Sequence, residues 1–123
     1  MWLRVILGIF GVMFLFNAVN FLLSPVDAAI GLGMELLDDM GRSSQVGDIG
    51  GFFLGSGAML LLGAYQKNSA WLRAAAVMVG AVAVMRILAW GIQDATFATV
   101  FIGIEILIAG VALYAASSFD AEA

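Results

Sequence analysis

The sequence contains no cysteine and no histidine. Their absence excludes disulfides, thiolate nucleophiles, Cys or His metal sites, the usual haem ligands and histidine-based proton transfer. Charged residues make up only 11% of the chain, against roughly one quarter in soluble domains. The net charge of −4 gives no basic footprint for nucleic acid. We therefore expect no metal, no nucleic-acid partner and no recognisable catalytic constellation.

Apolar residues are abundant instead. They make up 63% of the 123 residues, and the mean hydropathy is +1.07. So short a chain cannot bury that much apolar surface in water. Segments of about 20 mainly apolar residues can span a membrane, and four are found, at about 3–23, 49–65, 70–92 and 97–116. The first run is longer than the roughly 7–15 residues of a signal-peptide core. We predict one all-α domain over residues 1–123, an integral membrane four-helix transmembrane bundle.

The connections between the last three spans are very short, at 66–69 and 93–96. Loops of this length make neighbouring helices antiparallel. One end of the bundle, the terminal end, then carries both termini and the 66–69 loop, and the opposite end is the distal end.

Basic residues near the span ends predict the orientation. The terminal end carries Arg4, Lys67 and Arg73, whereas the distal end carries only Arg42. We expect a multi-pass protein of the bacterial inner membrane with both termini in the cytoplasm, so that the distal end faces outward.

The segment between the first two spans is polar and acidic. Ser24 and Asp27 enclose Pro25 in the pattern of a capping box with proline at the first helical position. Apolar residues then recur at helical spacing, at Val26, Ile30, Met34 and Leu37. We expect a short amphipathic helix on the membrane surface that stops near Gly41. The alternative is a loosely ordered acidic loop.

Two ionisable residues, Arg86 and Glu105, fall inside predicted spans. A charge at the bilayer centre costs at least about 2.5–3.5 kcal/mol. The two positions are symmetric about their shared loop, since the midpoint of 86 and 105 is 95.5. At a rise of 1.5 Å per residue, both lie roughly 10–14 Å below the distal surface. We predict an ion pair between them, because arginine can donate two parallel bonds to a carboxylate.

Other polar residues are expected at a similar level in the distal half, namely Asn17, Asn20, Ser56, Gln93 and, in the adjoining turn, Asp94. The terminal half has almost none. One interpretation is a pocket that holds a polar head group or a substrate, with Arg86 and Glu105 at its floor. The other is a polar network that orients the helices, since hydrogen bonds between membrane helices contribute only about 0.6 kcal/mol on average.

The second span carries a stripe of small residues, Gly47, Gly51 and Gly55. Such a stripe lets helices approach closely. It predicts packing within this bundle or, alternatively, contact with another chain. Aromatic residues concentrate on the first two spans, at Phe10, Phe14, Phe16, Phe21, Phe52 and Phe53. They are either ordinary packing and lipid-facing residues or the wall of a pocket for an acyl or isoprenoid chain.

The chain resembles small bacterial four-helix membrane proteins of a domain-of-unknown-function family near the DoxX-like group. The features that carry the resemblance are Gly50-Gly51, Gly55-Ser56-Gly57, Gly80, Arg86, Asp94 and Glu105. The resemblance implies a four-helix bundle in a bacterial inner membrane and no established activity. DoxX-like relatives include subunits of quinone-linked oxidoreductases, whereas this chain has no cofactor motif of its own.

Three functions are consistent with these features. The first is an accessory subunit without catalytic chemistry, which packs against a larger membrane assembly or self-associates through the second span. The second is a binding module for a quinone, lipid or other apolar ligand whose polar head lies near Arg86 and Glu105. The third is a transporter or membrane enzyme that uses Glu105 as acid or base. Membrane lipids are expected partners. No cofactor is expected other than a bound lipid or quinone.

Overall fold

The computed structural model describes all 123 residues and consists of helices and their connections, without a strand. The helices are α1 (Trp2–Leu23), α2 (Pro25–Gly31), α3 (Asp39–Gln66), α4 (Ser69–Ile92) and α5 (Thr99–Glu122). Four of them, α1, α3, α4 and α5, are long and apolar enough to cross a membrane. The predicted fold class, a four-helix bundle with a short helix between its first two long helices, is confirmed.

The long helices pack in chain order, α1 on α3, α3 on α4 and α4 on α5. Contact between α1 and α5 is slight. At the terminal end, the rings of Trp2 and Tyr114 lie 6.5 Å apart. The core is concentrated toward that end, and its fully buried members include Leu7, Leu60, Leu72, Val79 and Ile108. The contact between α1 and α5 is therefore the loosest among neighbouring long helices of the bundle.

The tightest helix contact joins α1 and α3 at two glycines. A Cβ on Gly57 would lie 3.0 Å from the backbone oxygen of Gly11 and 3.1 Å from Cβ of Phe14. A Cβ on Gly11 would in turn lie 3.1 Å from the oxygen of Gly57. The absence of side chains at both positions lets the two backbones meet, as in other small-residue contacts of membrane helices.

Polar contacts tie the terminal end together. Nη2 of Arg73 donates to Oδ2 of Asp120 at 2.6 Å, and Lys67 pairs with Glu122. Nε of Arg4 donates to the backbone oxygen of Ala64 at 2.8 Å. Three of the five basic residues are thus engaged at this end.

The amphipathic helix is shorter than the sequence predicts. It begins with Pro25 at its first position, but the Ser24 side chain forms no capping bond, so the predicted capping box is wrong. The helix ends at Gly31 because Gly33 adopts a positive φ of 81°. Met34 N bonds to Ala29 O, and Gly33 N bonds to Ile30 O, which is the Schellman pattern. The expected continuation to Leu37 therefore does not form.

Helix α3 begins earlier than the predicted second span. It starts at Asp39, so Gly41 lies inside a helix and does not end one. Residues Gln45–Ile49 form a π-helical turn within it. Inserting a π turn rotates the residues before it relative to the helix that follows. At the other end of the chain, α5 extends to Glu122, beyond the predicted limit at 116.

Candidate functional site

Arg86 and Glu105 form the predicted ion pair. Arg86 lies six residues before the end of α4 at Ile92, and Glu105 lies six residues after the start of α5 at Thr99. Nε of Arg86 donates to Oε2 of Glu105 at 3.1 Å. The side chains are 29% and 11% exposed, respectively. The equal depth follows from the antiparallel hairpin and the constant helical rise.

The pair makes one hydrogen bond and not the two parallel bonds that the residue types allow. The terminal nitrogens of Arg86 donate to no protein atom. Oε1 of Glu105 is buried and also has no hydrogen-bond partner. The guanidinium carbon lies 4.8 Å from the ring centroid of Phe101, within the range of a cation–π contact. Both members of the pair therefore retain unused hydrogen-bonding capacity.

A cavity of about 290 Å³, the distal cavity, ends on this pair. All five helices or their connections contribute to its wall, with α2 across its distal side. Its lining residues are Met13, Phe14, Asn17, Asn20, Phe21, Asp27, Ala28, Gly31, Leu32, Phe52, Phe53, Arg86, Phe101, Ile104 and Glu105. Both α1 and α5 line it, and these two helices make little contact with one another.

A second cavity of about 330 Å³, the side cavity, reaches the same ion pair from another direction. It adds Asp48 from the π turn and Val82 from α4. The two cavities share five lining residues, namely Leu32, Phe52, Phe53, Arg86 and Glu105. The Arg86–Glu105 pair and the Phe52–Phe53 segment thus lie where the two cavities adjoin.

Four of the five phenylalanines that line the distal cavity form one aromatic cluster. The ring of Phe53 lies 5.2 Å from that of Phe14, 5.3 Å from that of Phe52 and 6.4 Å from that of Phe21, centroid to centroid. Such edge-on and offset contacts stabilise pairs of rings beyond the contribution of their buried area. The cluster gives the cavity a fixed aromatic wall beside its polar floor.

The connection between α2 and α3 covers the cavities and is held by a buried glutamine. Oε1 of Gln45 accepts from the backbone N–H of Leu37 at 2.7 Å. Its Nε2 donates to the backbone oxygen of Glu35 at 2.9 Å. Leu32 and Met34, in the same connection, line the cavities. Gln45 therefore fixes a segment that would otherwise have unpaired backbone groups.

The structure brings together some of the residues predicted for the polar cluster. Asn17 and Asn20 line the distal cavity with Arg86 and Glu105. The other predicted residues, Ser56, Gln93 and Asp94, do not line this cavity. Ser56 is fully buried away from both cavities, with no partner for its hydroxyl. Gln93 and Asp94 are exposed in the α4–α5 connection and line neither cavity.

The glycine stripe of α3 does not pack within the bundle. A Cβ added at Gly47, Gly51 or Gly55 would meet no atom within 4 Å. The interpretation of this stripe as an internal packing surface is therefore wrong. The four-residue spacing identifies a helix face but not the direction in which that face points.

Three polar residues of the site were not predicted from the sequence, namely Asp27, Gln45 and Asp48. The sequence indicates Asp27 only as part of a capping box, whereas the structure places it on the wall of the distal cavity with Asn20. Gln45 and Asp48 depend on the path of the α2–α3 connection and on the π turn, and no sequence signal indicates either.

No group of three carboxylates lies close enough to hold a metal ion. A protein-family model described as a domain of unknown function, DUF4345, matches residues 2–116. No curated protein and no solved structure matches the chain. The function of the chain must therefore be inferred mainly from the geometry of the two cavities.

Proposed function

Because the chain belongs to the DUF4345 family of domains of unknown function, whose description assigns no activity, we propose from the site geometry that the protein binds an amphiphilic membrane molecule. In this proposal the polar head lies in the distal cavity against Arg86, and the apolar part leaves between α1 and α5. The class includes lipids and quinones. The observation that carries the proposal is a cavity that ends on an arginine with free donors.

The size of the cavity supports a head group inside and a chain outside. Pockets that enclose a whole drug-sized ligand have volumes of about 300–1,000 Å³. The distal cavity, at about 290 Å³, lies at the lower limit. A molecule with a long chain fits only if that chain extends into the lipid or along a helix surface. The gap between α1 and α5 provides such an exit.

The experiment is lipid analysis of the purified protein. We expect a specific amphiphile to remain bound to the wild type in mild detergent and to be detected by mass spectrometry. Arg86→Gln should lose it. Arg73→Gln is the matched control, because it removes an arginine from the same helix at the terminal end, where Asp120 is its partner. Equal occupancy in both variants would contradict the proposal.

Arg86→Gln leaves the Glu105 carboxylate without its partner, which can impair folding. The double variant Arg86→Gln, Glu105→Gln removes both charges with little change of volume. If this variant is folded by circular dichroism and still retains the amphiphile, Arg86 does not hold the head group.

A second candidate, the accessory subunit, is favoured by the open glycine stripe. Gly47 and Gly51 are exposed and leave room for a transmembrane helix of a partner. The protein would then migrate in native membranes as part of a larger complex, and Gly51→Leu would release it. If the wild type and Gly51→Leu both migrate as a monomer of the same size, this role is contradicted.

We also propose that the membrane is the bacterial cytoplasmic membrane and that both termini lie in the cytoplasm. Arg4, Lys67 and Arg73 at the terminal end support this orientation, with Arg42 alone at the distal end. The distal cavity would then lie in the outer half of the bilayer.

A further inference from the structure

The charges that line the distal cavity do not balance. Arg86 and Glu105 offset one another through their ion pair. Asp27, which also lines the cavity, has no ion pair and no hydrogen-bond partner on its carboxylate within the protein. One carboxylate therefore remains available to a ligand. A purely anionic head group would place two negative charges together, and a neutral head would leave Asp27 unused.

A second feature favours a cation in the same space. Phe14, Phe21, Phe52 and Phe53 line the cavity beside Asp27. Aromatic rings attract ammonium groups through the negative charge on their faces, and aromatic walls next to a carboxylate recognise organic ammonium ions. A fifth ring, that of Phe101, already contacts a cation, the Arg86 guanidinium.

The Arg86 end of the cavity favours a group of the opposite charge, namely an anion. The terminal nitrogens of Arg86 donate to no protein atom, and a guanidinium matches the oxygens of a phosphate with two parallel bonds. Glu105 is buried, and its unpartnered Oε1 is out of reach of solvent. That oxygen is not reached from the cavity, so the acceptor available to a cationic group is the Asp27 carboxylate. The cavity thus has a donor site for an anionic group and an acceptor site for a cationic group.

Resting on the amphiphile-binding function proposed above, we infer that the head group is zwitterionic and combines a phosphate with an alkylammonium. The phosphate oxygens accept from the terminal nitrogens of Arg86. The ammonium lies between the Asp27 carboxylate and the phenylalanine wall.

A groove along α1 and α5 accommodates the chain. Closer to the terminal end, the same two helices enclose an open apolar groove of about 320 Å³. Its lining residues include Leu3, Ile106, Leu107, Gly110 and Val111. Glu105 and Gly110 are five residues apart on α5, which is about 7.5 Å along the helix axis. A single chain that leaves the distal cavity between α1 and α5 enters this groove.

The test compares three single-chain probes with the same acyl group, namely lysophosphatidylethanolamine, lysophosphatidylglycerol and monoacylglycerol. Each competes with a fluorescent lysolipid for the purified full-length protein in mild detergent. We expect lysophosphatidylethanolamine to bind roughly tenfold more tightly than lysophosphatidylglycerol, because only the former has an ammonium for the aromatic wall and for Asp27. Monoacylglycerol, which has no phosphate, should bind most weakly.

Asp27→Asn should reduce the preference for the ethanolamine probe by roughly twofold to fivefold, the range expected for an ion pair at an exposed residue. Asp39→Asn is the matched control. Asp39 is also a first-turn acid of a distal helix and lies outside both cavities. It has a positive φ, which asparagine tolerates. The control should keep the wild-type preference.

The outcomes separate the two proposals. If lysophosphatidylglycerol binds as tightly as lysophosphatidylethanolamine and both depend on Arg86, the head group is not zwitterionic, but amphiphile binding stands. If Asp27→Asn keeps the wild-type preference for lysophosphatidylethanolamine over lysophosphatidylglycerol, the zwitterionic head group is also overturned. If no probe binds in an Arg86-dependent manner, the zwitterionic head group is overturned, and amphiphile binding is decided by the analysis of molecules that co-purify with the wild type and with Arg86→Gln.

Discussion

Arg86 and Glu105 lie opposite one another on α4 and α5 and share a single hydrogen bond of 3.1 Å, from Nε to Oε2. The second carboxylate oxygen, Oε1, is buried and unpartnered. Arginine–carboxylate pairs frequently form two parallel bonds, and this pair forms only one. The terminal nitrogens of Arg86, a residue that lines both cavities, donate to no protein atom, and this free capacity supports the proposed ligand site.

The first prediction concerns the stability of this pair. Arg86→Met should destabilise the bundle more than Arg86→Met combined with Glu105→Leu, by about 1–3 kcal/mol. Removing one partner leaves a buried charge uncompensated, whereas removing both does not. Reversible unfolding by SDS in bicelles measures the difference. Equal free energies of unfolding for the single and the double variant would show that Glu105 is adequately solvated without Arg86.

The second prediction concerns the α2–α3 connection. Gln45→Ala removes the acceptor of the Leu37 amide and the donor to the Glu35 carbonyl. A hydrogen bond contributes about 1 kcal/mol net, so exchange of the Leu37 amide should be roughly fivefold to tenfold faster. Hydrogen exchange resolved by mass spectrometry or NMR measures it. Gln66→Ala is the control, because Gln66 is exposed at the terminal end of α3.

If the Leu37 amide exchanges equally fast in the wild type and in Gln45→Ala, the glutamine does not hold the connection. If Gln66→Ala accelerates exchange at Leu37 as well, the effect reflects general loosening of α3 and not the loss of the two local bonds.

The third prediction distinguishes two glycines of α3. Gly57→Ala should destabilise the bundle by about 1–3 kcal/mol, because its Cβ would press on the backbone oxygen of Gly11 at 3.0 Å. Gly55→Ala should be neutral or should stabilise by up to about 1 kcal/mol, since a Cβ there meets no atom within 4 Å and alanine favours helix. The same unfolding assay compares them. A reversed order would mean that α1 does not approach α3 at Gly57.

The depth of the ion pair could be predicted from the sequence because it depends on two regular quantities. The helical rise is constant, and a short loop makes α4 and α5 antiparallel, so Arg86 and Glu105 reach the same level for geometric reasons. The four long helices could be predicted for a similar reason, since span length and apolar composition require no knowledge of packing.

The remainder of the site depends on local backbone conformation and on helix rotation, which periodicity does not determine. Gly33 ends α2 through a positive φ, although the apolar spacing continues to Leu37. The π turn that carries Asp48 has no sequence signature. The spacing of the glycine stripe does not determine which surface it contacts, and the internal contact is made by Gly57 with Gly11, two residues after the stripe ends at Gly55.

The last prediction concerns orientation, and the absence of native cysteine makes it direct to test. Single cysteines are introduced at Ser43, exposed near the distal start of α3, and at Ala121, exposed near the terminal end of α5. A membrane-impermeant maleimide should label Ser43→Cys in intact bacteria and reach Ala121→Cys only after lysis, because basic residues concentrate at the terminal end. Labelling of Ala121→Cys alone in intact cells would reverse the orientation. The distal cavity would then open in the cytoplasmic leaflet, and a head group would reach Arg86 from that side.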